Sequence, residues 1–224
     1  MIQIAHIHTV FPEKFGIPRQ SGIENTIESV IEFEPEFAVR EALAGLDGFS
    51  HIWIIWEFSE NRDKKWSPTV RPPRLGGNAR RGVFATRSPV RPNPIALSAV
   101  KISRIEYDSK RGPLIYVLGA DMKDNTPIFD IKPYIPFSDC IPDAKEGFTH
   151  QTKQYSLCVT DPSGAINKVE DDLRKGLETV LSNDPRPSYQ NDPDRIYFIL
   201  FSHYQIKFSV SGETLIIKEI TEIQ

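Results

Sequence analysis

The chain has 224 residues, 39% hydrophobic and 25% charged, with a formal net charge of −3. This is ordinary for a globular protein of one or two domains, and no apolar run approaches the roughly 18–20 residues needed to span a bilayer. The start, Met-Ile-Gln-Ile-Ala-His, has no basic stretch followed by an apolar one, and Cys140 and Cys158 show no pairing pattern; no membrane segment or secretory signal is expected, and the composition fits a reducing cytosol.

In chain order, residues 2–7 alternate and predict a first strand. Residues 11–22 form a long loop containing Pro18-Arg19-Gln20. Residues 27–33 alternate again. Residues 35–46 are helix formers that stop at Gly48. Residues 50–58 read as a buried strand, because His-Ile-Trp-Ile-Ile-Trp is β-branched and aromatic. Trp53 and Trp56 are an odd number of residues apart, so they point to opposite faces. One face can fill a barrel, and the other then needs a cover from the C-terminal part or a second subunit.

Residues 71–98 hold six arginines, Arg71, Arg74, Arg80, Arg81, Arg87 and Arg91, among prolines and glycines. Proline fixes φ and removes backbone donors, so a helix is excluded across most of this stretch. Val83-Phe84-Ala85 is a short apolar run that could be a strand. The result is a stiff loop displaying guanidinium groups, which suit phosphate and carboxylate. Residues 62–111 carry a local balance of +10, leaving −13 on the rest of the chain. That asymmetry suggests one face for a polyanion.

Residues 96–107 and 114–118 predict further strands, 121–127 a turn, and 128–135 another strand. Frequent turns and short strands suggest a closed or nearly closed antiparallel barrel. Composition changes after Asp143. Residues 154–160 predict a strand, and 163–182 an amphipathic helix with Ile166, Val169, Leu173, Leu177, Val180 and Leu181 on one face. Residues 195–210 and 214–221 flank Ser211-Gly212-Glu213 as a hairpin. The expected fold is mainly β with minor α: a small antiparallel β-barrel over residues 1–148 and a small α+β domain over 149–224.

No G-x-G-x-x-G follows a strand, and there is no P-loop. His6 and His8 share a face if strand-borne, but no cluster of further ligands follows at a telling spacing, so no metal is expected. Asp121, Asp124 and Asp130 bracket one turn. A carboxylate there could hold a cationic ligand or accept a proton; equally, Asp124 and Asn125 could cap backbone groups in an Asx-type turn.

Several ordered segments carry a resemblance. Pro18-Arg19-Gln20, residues 66–80, Gly82-Val-Phe-Ala-Thr-Arg-Ser88, Arg91-Pro-Asn-Pro-Ile95, residues 124–134 and, less strongly, Asp184-Pro-Arg-Pro-Ser-Tyr189 resemble the TsaA/TrmO family. The resemblance implies an S-adenosylmethionine-dependent tRNA methyltransferase acting on N6 of threonylcarbamoyl-modified adenosine 37. It implies a small β-barrel in place of a Rossmann fold, and a cytoplasmic homodimer with the cofactor pocket near the subunit interface. The cofactor site would use Pro18, Arg19, Gln20, Ser59, Glu60, Arg87, Leu97 and the turn Asp124-Asn125-Thr126-Pro127.

Three positions depart from the family pattern. Ser59 replaces a histidine. Asn125 replaces the glycine of Asp-Gly-Thr-Pro and can adopt the same left-handed conformation. Ala96 stands where glycine is usual. Asp124 and Asp130 are the candidates for assisting proton loss. Arg71, Arg74, Arg80, Arg81 and Arg91 would bind tRNA phosphates; Arg87 could face a carboxylate of the cofactor or of the modified base. A non-catalytic RNA-binding barrel explains the basic loop but not Pro18-Arg19-Gln20 or the Asp124 turn. An enzyme for a small phosphorylated substrate is the third reading.

Overall fold

The computed structural model of the chain describes residues 1–72, 75, 79–152, 156–186 and 192–223. The first half contains β1 (Ala5–His8), β2 (Glu28–Phe33), β3 (His51–Glu57), a ribbon of β4 (Thr69–Val70) and β5 (Arg81–Gly82), then β6 (Ile95–Asp108), β7 (Gly112–Leu118) and β8 (Thr126–Pro133). Six of these close a barrel in the order β1-β2-β7-β6-β3-β8, every pairing antiparallel. Closure leaves no free edge, and alternation sorts each strand into inward and outward faces. In β3, Ile52, Ile54 and Trp56 are buried, while His51, Trp53 and Ile55 face outward.

The outward Trp53 has a different cover from the two expected. Its ring lies against Tyr134, and its Nε1 donates to Asp139 Oδ2 at 2.9 Å. Asp139 ends the single-turn α1 (Pro136–Asp139). The chain's own exit from β8 therefore covers Trp53, while Ile55, two residues on along the same face, remains half-buried.

The second half has β9 (Cys158–Thr160), α2 (Asp171–Ser182), β10 (Tyr197–Phe201), β11 (Tyr204–Ser211) and β12 (Thr214–Glu222). They form a four-stranded sheet, β10-β11-β12-β9, with only β9 parallel to its neighbour. Leu177, Val180 and Leu181 of α2 share a core with Ile206, Phe208 and Leu215. Each such aliphatic side chain, fully buried, contributes about 1.5–3 kcal/mol of transfer free energy. Phe11 and Ile27 from the first half belong to this same core.

Several expected elements differ in kind. Residues 35–46 give only two 3-10 turns, Arg40–Leu43 and Leu46–Gly48, because Gly45 adopts φ 84° and ends the first. Val83–Ala85 is a 3-10 turn and not a strand; its single buried residue is Val83. The helix expected over 163–182 is split into a 3-10 turn, Ala165–Lys168, and α2. Val169 and Glu170 are extended between them, and Asp171 and Asp172 suit the fresh N-terminus. Residues 195–210 are two strands, since Ser202 takes φ 54° and pairs Phe201 with Tyr204 across a two-residue loop. The expected boundary at 148/149 falls inside the 3-10 turn Gly147–Thr152.

Gly176 is where α2 meets the first half most closely. A Cβ there would sit 2.2 Å from Ile27 Cδ1. Gly176→Val is expected to lower Tm by about 4–10 °C through overpacking, despite valine's better helix propensity. A calorimetric Tm equal to wild type would show that this contact yields freely.

Candidate functional site

The turn before β8 is laid directly on the end of β1. Asn125 adopts φ 59°, the left-handed conformation expected of it. The Asp124 amide donates to Phe11 O at 2.8 Å, and the Asn125 amide to Ile7 O at 2.9 Å. Asp124 Oδ1 accepts from the Thr9 amide at 3.0 Å, while Oδ2 accepts from Asn125 Nδ2 at 2.8 Å. Asp124 therefore clamps the turn to the end of β1 through the Thr9 amide, with its other oxygen on the Asn125 side chain; neither bond is the local Asx-type cap expected from sequence. Thr126 and Pro127 are buried at the start of β8.

Glu60 ties this turn to the long loop. Its Oε1 accepts from Lys123 Nζ at 2.6 Å, and its Oε2 pairs with Lys14 Nζ at 2.5 Å. The Lys123 hydrogen bond, then that of Lys14, holds the Glu60 carboxyl well below the usual range, at about 2. The bridge is thus fully present above the ordinary carboxylate range and lost only as pH falls toward that value. Ser59, beside it in the exposed turn Ser59–Asn61, begins the same bend.

A second cluster assembles around Asp121. Trp56 Nε1 donates to Ser98 Oγ at 2.9 Å, and Ser98 Oγ donates to Asp121 Oδ1 at 2.6 Å. The Ser21 amide also donates to Asp121, and the charge of Arg87 acts on it; burial outweighs these and pushes its carboxyl above the usual range. Arg87 Nη1 donates to Gln20 Oε1. Gln20, Ser21, Arg87 and Asp121 are therefore neighbours at one end of the barrel. A relay of hydrogen bonds fastens them to the core through Ser98, which is 2% exposed.

Pro18 is buried in the same loop, but Arg19 points elsewhere. Its Nη2 donates to Asp184 O at 3.2 Å and Arg186 O at 3.3 Å. Asp184 and Arg186 are themselves buried and paired, at 2.8 and 3.0 Å. The Pro18-Arg19-Gln20 and Asp184-Pro-Arg segments, far apart in sequence, thus meet in space.

Two expected residues lie apart from these clusters. Leu97 is 53% exposed on the outer face of β6, although its neighbour Ser98 points inward to Asp121. Asp130 is four residues along β8 from Thr126, roughly 13 Å at strand spacing. It pairs with Lys132 Nζ at 2.8 Å and borders an open apolar groove of about 420 Å³ lined by Met1, Ile2, Ile4, Phe37, Ile55 and Phe129. Of the two candidate proton acceptors, only Asp124 sits at the turn.

The arginine loop sorts itself by pairing. Arg62, Arg104 and Arg111 are all held by carboxylates, those of Glu57, of Glu28 and Glu106, and of Glu32. Among the described residues, no carboxylate lies within 4.0 Å of Arg71, Arg80, Arg81, Arg87 or Arg91. Arg80 reaches Thr69 Oγ1 at 3.1 Å and Arg91 reaches Thr86 O at 3.1 Å, contacts that shape the loop without neutralising it. Arg74 lies outside the described residues.

Sequence reading placed Asp121 in the turn but did not single it out, and it passed over Ser98, Lys14 and Lys123. The available signal was the phase of β6, which puts Ser98 inward beside Val100. A polar residue on a barrel's inner face requires a partner.

Comparison with known proteins identifies the family of the chain. Residues 6–140 match the tRNA-methyltransferase O N-terminal domain, and residues 154–223 match the TrmO C-terminal domain. A tRNA (adenine(37)-N6)-methyltransferase of Escherichia coli is 35% identical over 218 residues, covering 93% of this chain and 92% of that protein. One of the same name from Eikenella corrodens is 39% identical over 177 residues, covering 79% and 99%. The crystal structure of TrmO from Pseudomonas aeruginosa superposes with a TM-score of 0.77 at 28% identity, covering 98% of this chain and 97% of that one. With both domains present in order and a relative matched over nearly its whole length, the chain belongs to the tRNA-methyltransferase O family.

Proposed function

We propose that this chain transfers the methyl group of S-adenosylmethionine to N6 of adenosine 37 in tRNA, with the threonylcarbamoyl-modified nucleoside as its substrate, and that it does so in the cytosol. The observation that carries the reading is one juxtaposition. Gln20, Arg87, Asp121 and the Asp124 turn converge at one end of the barrel, beside arginines that, among the described residues, pair with no carboxylate.

The donor set fits the cofactor. Arg87, already oriented by Gln20, offers a guanidinium to a carboxylate, and Asp121 offers a carboxyl group to an ammonium. When bound, S-adenosylmethionine supplies an electrophilic methyl group. The chain's part is positioning and exclusion of water, which can account for most of such an acceleration. Asp124 ties the turn to β1 through the Thr9 amide, and the Trp56–Ser98 relay holds Asp121, whose carboxyl feels the charge of Arg87. The basic loop holds phosphates flanking a base splayed from the anticodon loop.

The reading is tested with methyl-labelled S-adenosylmethionine and tRNA prepared with and without the threonylcarbamoyl group. Label is expected on N6 of the modified adenosine alone. Equal label on both tRNAs would remove the substrate assignment, and none on either would remove the activity. Asp124→Ala takes away the acceptor of the Thr9 amide. It is expected to weaken S-adenosylmethionine by about tenfold, from loss of one charge-assisted hydrogen bond. Wild-type affinity in titration calorimetry would leave Asp124 with no influence on the cofactor.

A homodimer belongs to the same proposal. Exposed Ile95, Leu97 and Phe84 lie near the site, and Leu97 pairs across with Ile55, which lines the open groove. A second copy covering this strip would bring two basic loops together. Sedimentation equilibrium of active protein is expected to give twice the chain mass of 25.5 kDa; the single-chain mass would defeat it.

A further inference from the structure

β1 and β2 bring together a cluster on the outside of the barrel that methyl transfer does not use. His6 and His8 share one face of β1, and Glu32 is the register partner of His6 on β2. The two Nε2 atoms are 3.1 Å apart, and His8 Nε2 lies 3.7 Å from Glu32 Oε2. One ligand atom from each of the three falls within 4.8 Å of the others. In a tetrahedral site with nitrogen at about 2.0–2.1 Å from zinc, ligand atoms are ~3.3 Å apart. The two imidazoles already have that spacing, and the carboxylate is a short swing away.

The outer nitrogens give a second, independent observation. His6 Nδ1 faces Glu34 Oε1 at 3.5 Å, and His8 Nδ1 faces Asp124 Oδ1 at 3.5 Å. A metal-ligating histidine directs its second N–H to a carboxylate, which fixes the tautomer and the ring. Here both rings are so placed at once. Protons on the two Nδ1 atoms leave two Nε2 lone pairs aimed at one spot, an arrangement that a cation between them relieves. Glu32 also accepts from Arg111 Nη1 at 3.4 Å, and a carboxylate has lone pairs for both.

We propose that His6, His8 and Glu32 bind one divalent transition-metal ion of the zinc class, with Glu34 and Asp124 orienting the two imidazoles. Two nitrogens and one oxygen suit such an ion better than magnesium or calcium. Three protein ligands on a partly exposed surface leave a position for water.

The test is titration of the tag-free, metal-stripped full chain with Co²⁺, followed by visible ligand-field absorption. One equivalent is expected to bind and to be displaced by Zn²⁺. The band is expected to vanish in His6→Gln and in His8→Gln, and to persist in His203→Gln, whose ring also faces two carboxylates. Glu34→Gln is expected to weaken binding about ten- to a hundredfold. Circular dichroism in metal-free buffer checks that each variant is folded. No band in the wild type with excess Co²⁺, or a full band in the folded double variant of His6 and His8, would overturn the proposal.

Discussion

Asp121→Asn is expected to lower methyl transfer to tRNA by about a hundredfold while leaving Tm at neutral pH unchanged or higher. The asparagine keeps its Oδ1 as the acceptor for Ser98 Oγ, so the relay from Trp56 survives. It loses the charge that faces Arg87. Arg87 is then steered by Gln20 alone, and a displacement of about 1 Å at such a group can cost a hundredfold in rate. The stability half of the expectation follows from linkage. Burial raises the Asp121 carboxyl above its ordinary range. Its contribution to folding is therefore full below the unfolded-state value and lost as pH rises through the folded one. At neutral pH the ionised group is a cost, which the amide removes. Wild-type turnover in Asp121→Asn would take Asp121 out of the site. A sharply lowered Tm would make any loss of activity a matter of folding.

The triple variant Arg71→Ala, Arg80→Ala, Arg81→Ala is expected to weaken tRNA binding by on the order of a hundredfold near physiological salt. It is also expected to reduce the log–log salt slope by about two to three units. Each of these side chains is exposed and, among the described residues, without a carboxylate partner, so each is available to displace counterions from a phosphate. S-adenosylmethionine affinity should stay the same, since the proposed cofactor cluster is built from other residues. An unchanged slope would mean that the loop faces solvent in the complex. The corresponding change at Arg104, held by Glu28 and Glu106, should leave the slope untouched.

How much was legible in the sequence depended on the range of the interaction. The barrel strands were, because inward and outward residues alternate within each strand and need no partner to be recognised. Local punctuation was read less well. The loop at Ser202-His203 lacks the glycine that usually marks a two-residue turn, so two strands passed for one. The break at Val169 and Glu170 lies inside an uninterrupted apolar stripe, and tertiary burial of Val169 decides it. The turn at Asp124 was legible in its own residues, with Asn125 able to take the left-handed conformation, whereas the contact of Gln20 with Arg87 required the fold. The selection of Asp121 over Asp130 required the path of β8, and the meeting of His6 with Glu32 required the register of β1 on β2.

The grip of Arg19 on the carbonyls of residues 184 and 186 has a further consequence. Because it reads main-chain oxygens, the partner side chains could vary without breaking it, but the backbone beneath them must be present and shaped. A gene cut after the barrel would free the segment that carries Gln20. Such a fragment would also bare Phe11 and Ile27, which share the core of the second half. In the whole chain, the same coupling runs in reverse: ligand that stills the Gln20 segment is expected to slow hydrogen exchange in the segment after α2 that anchors it.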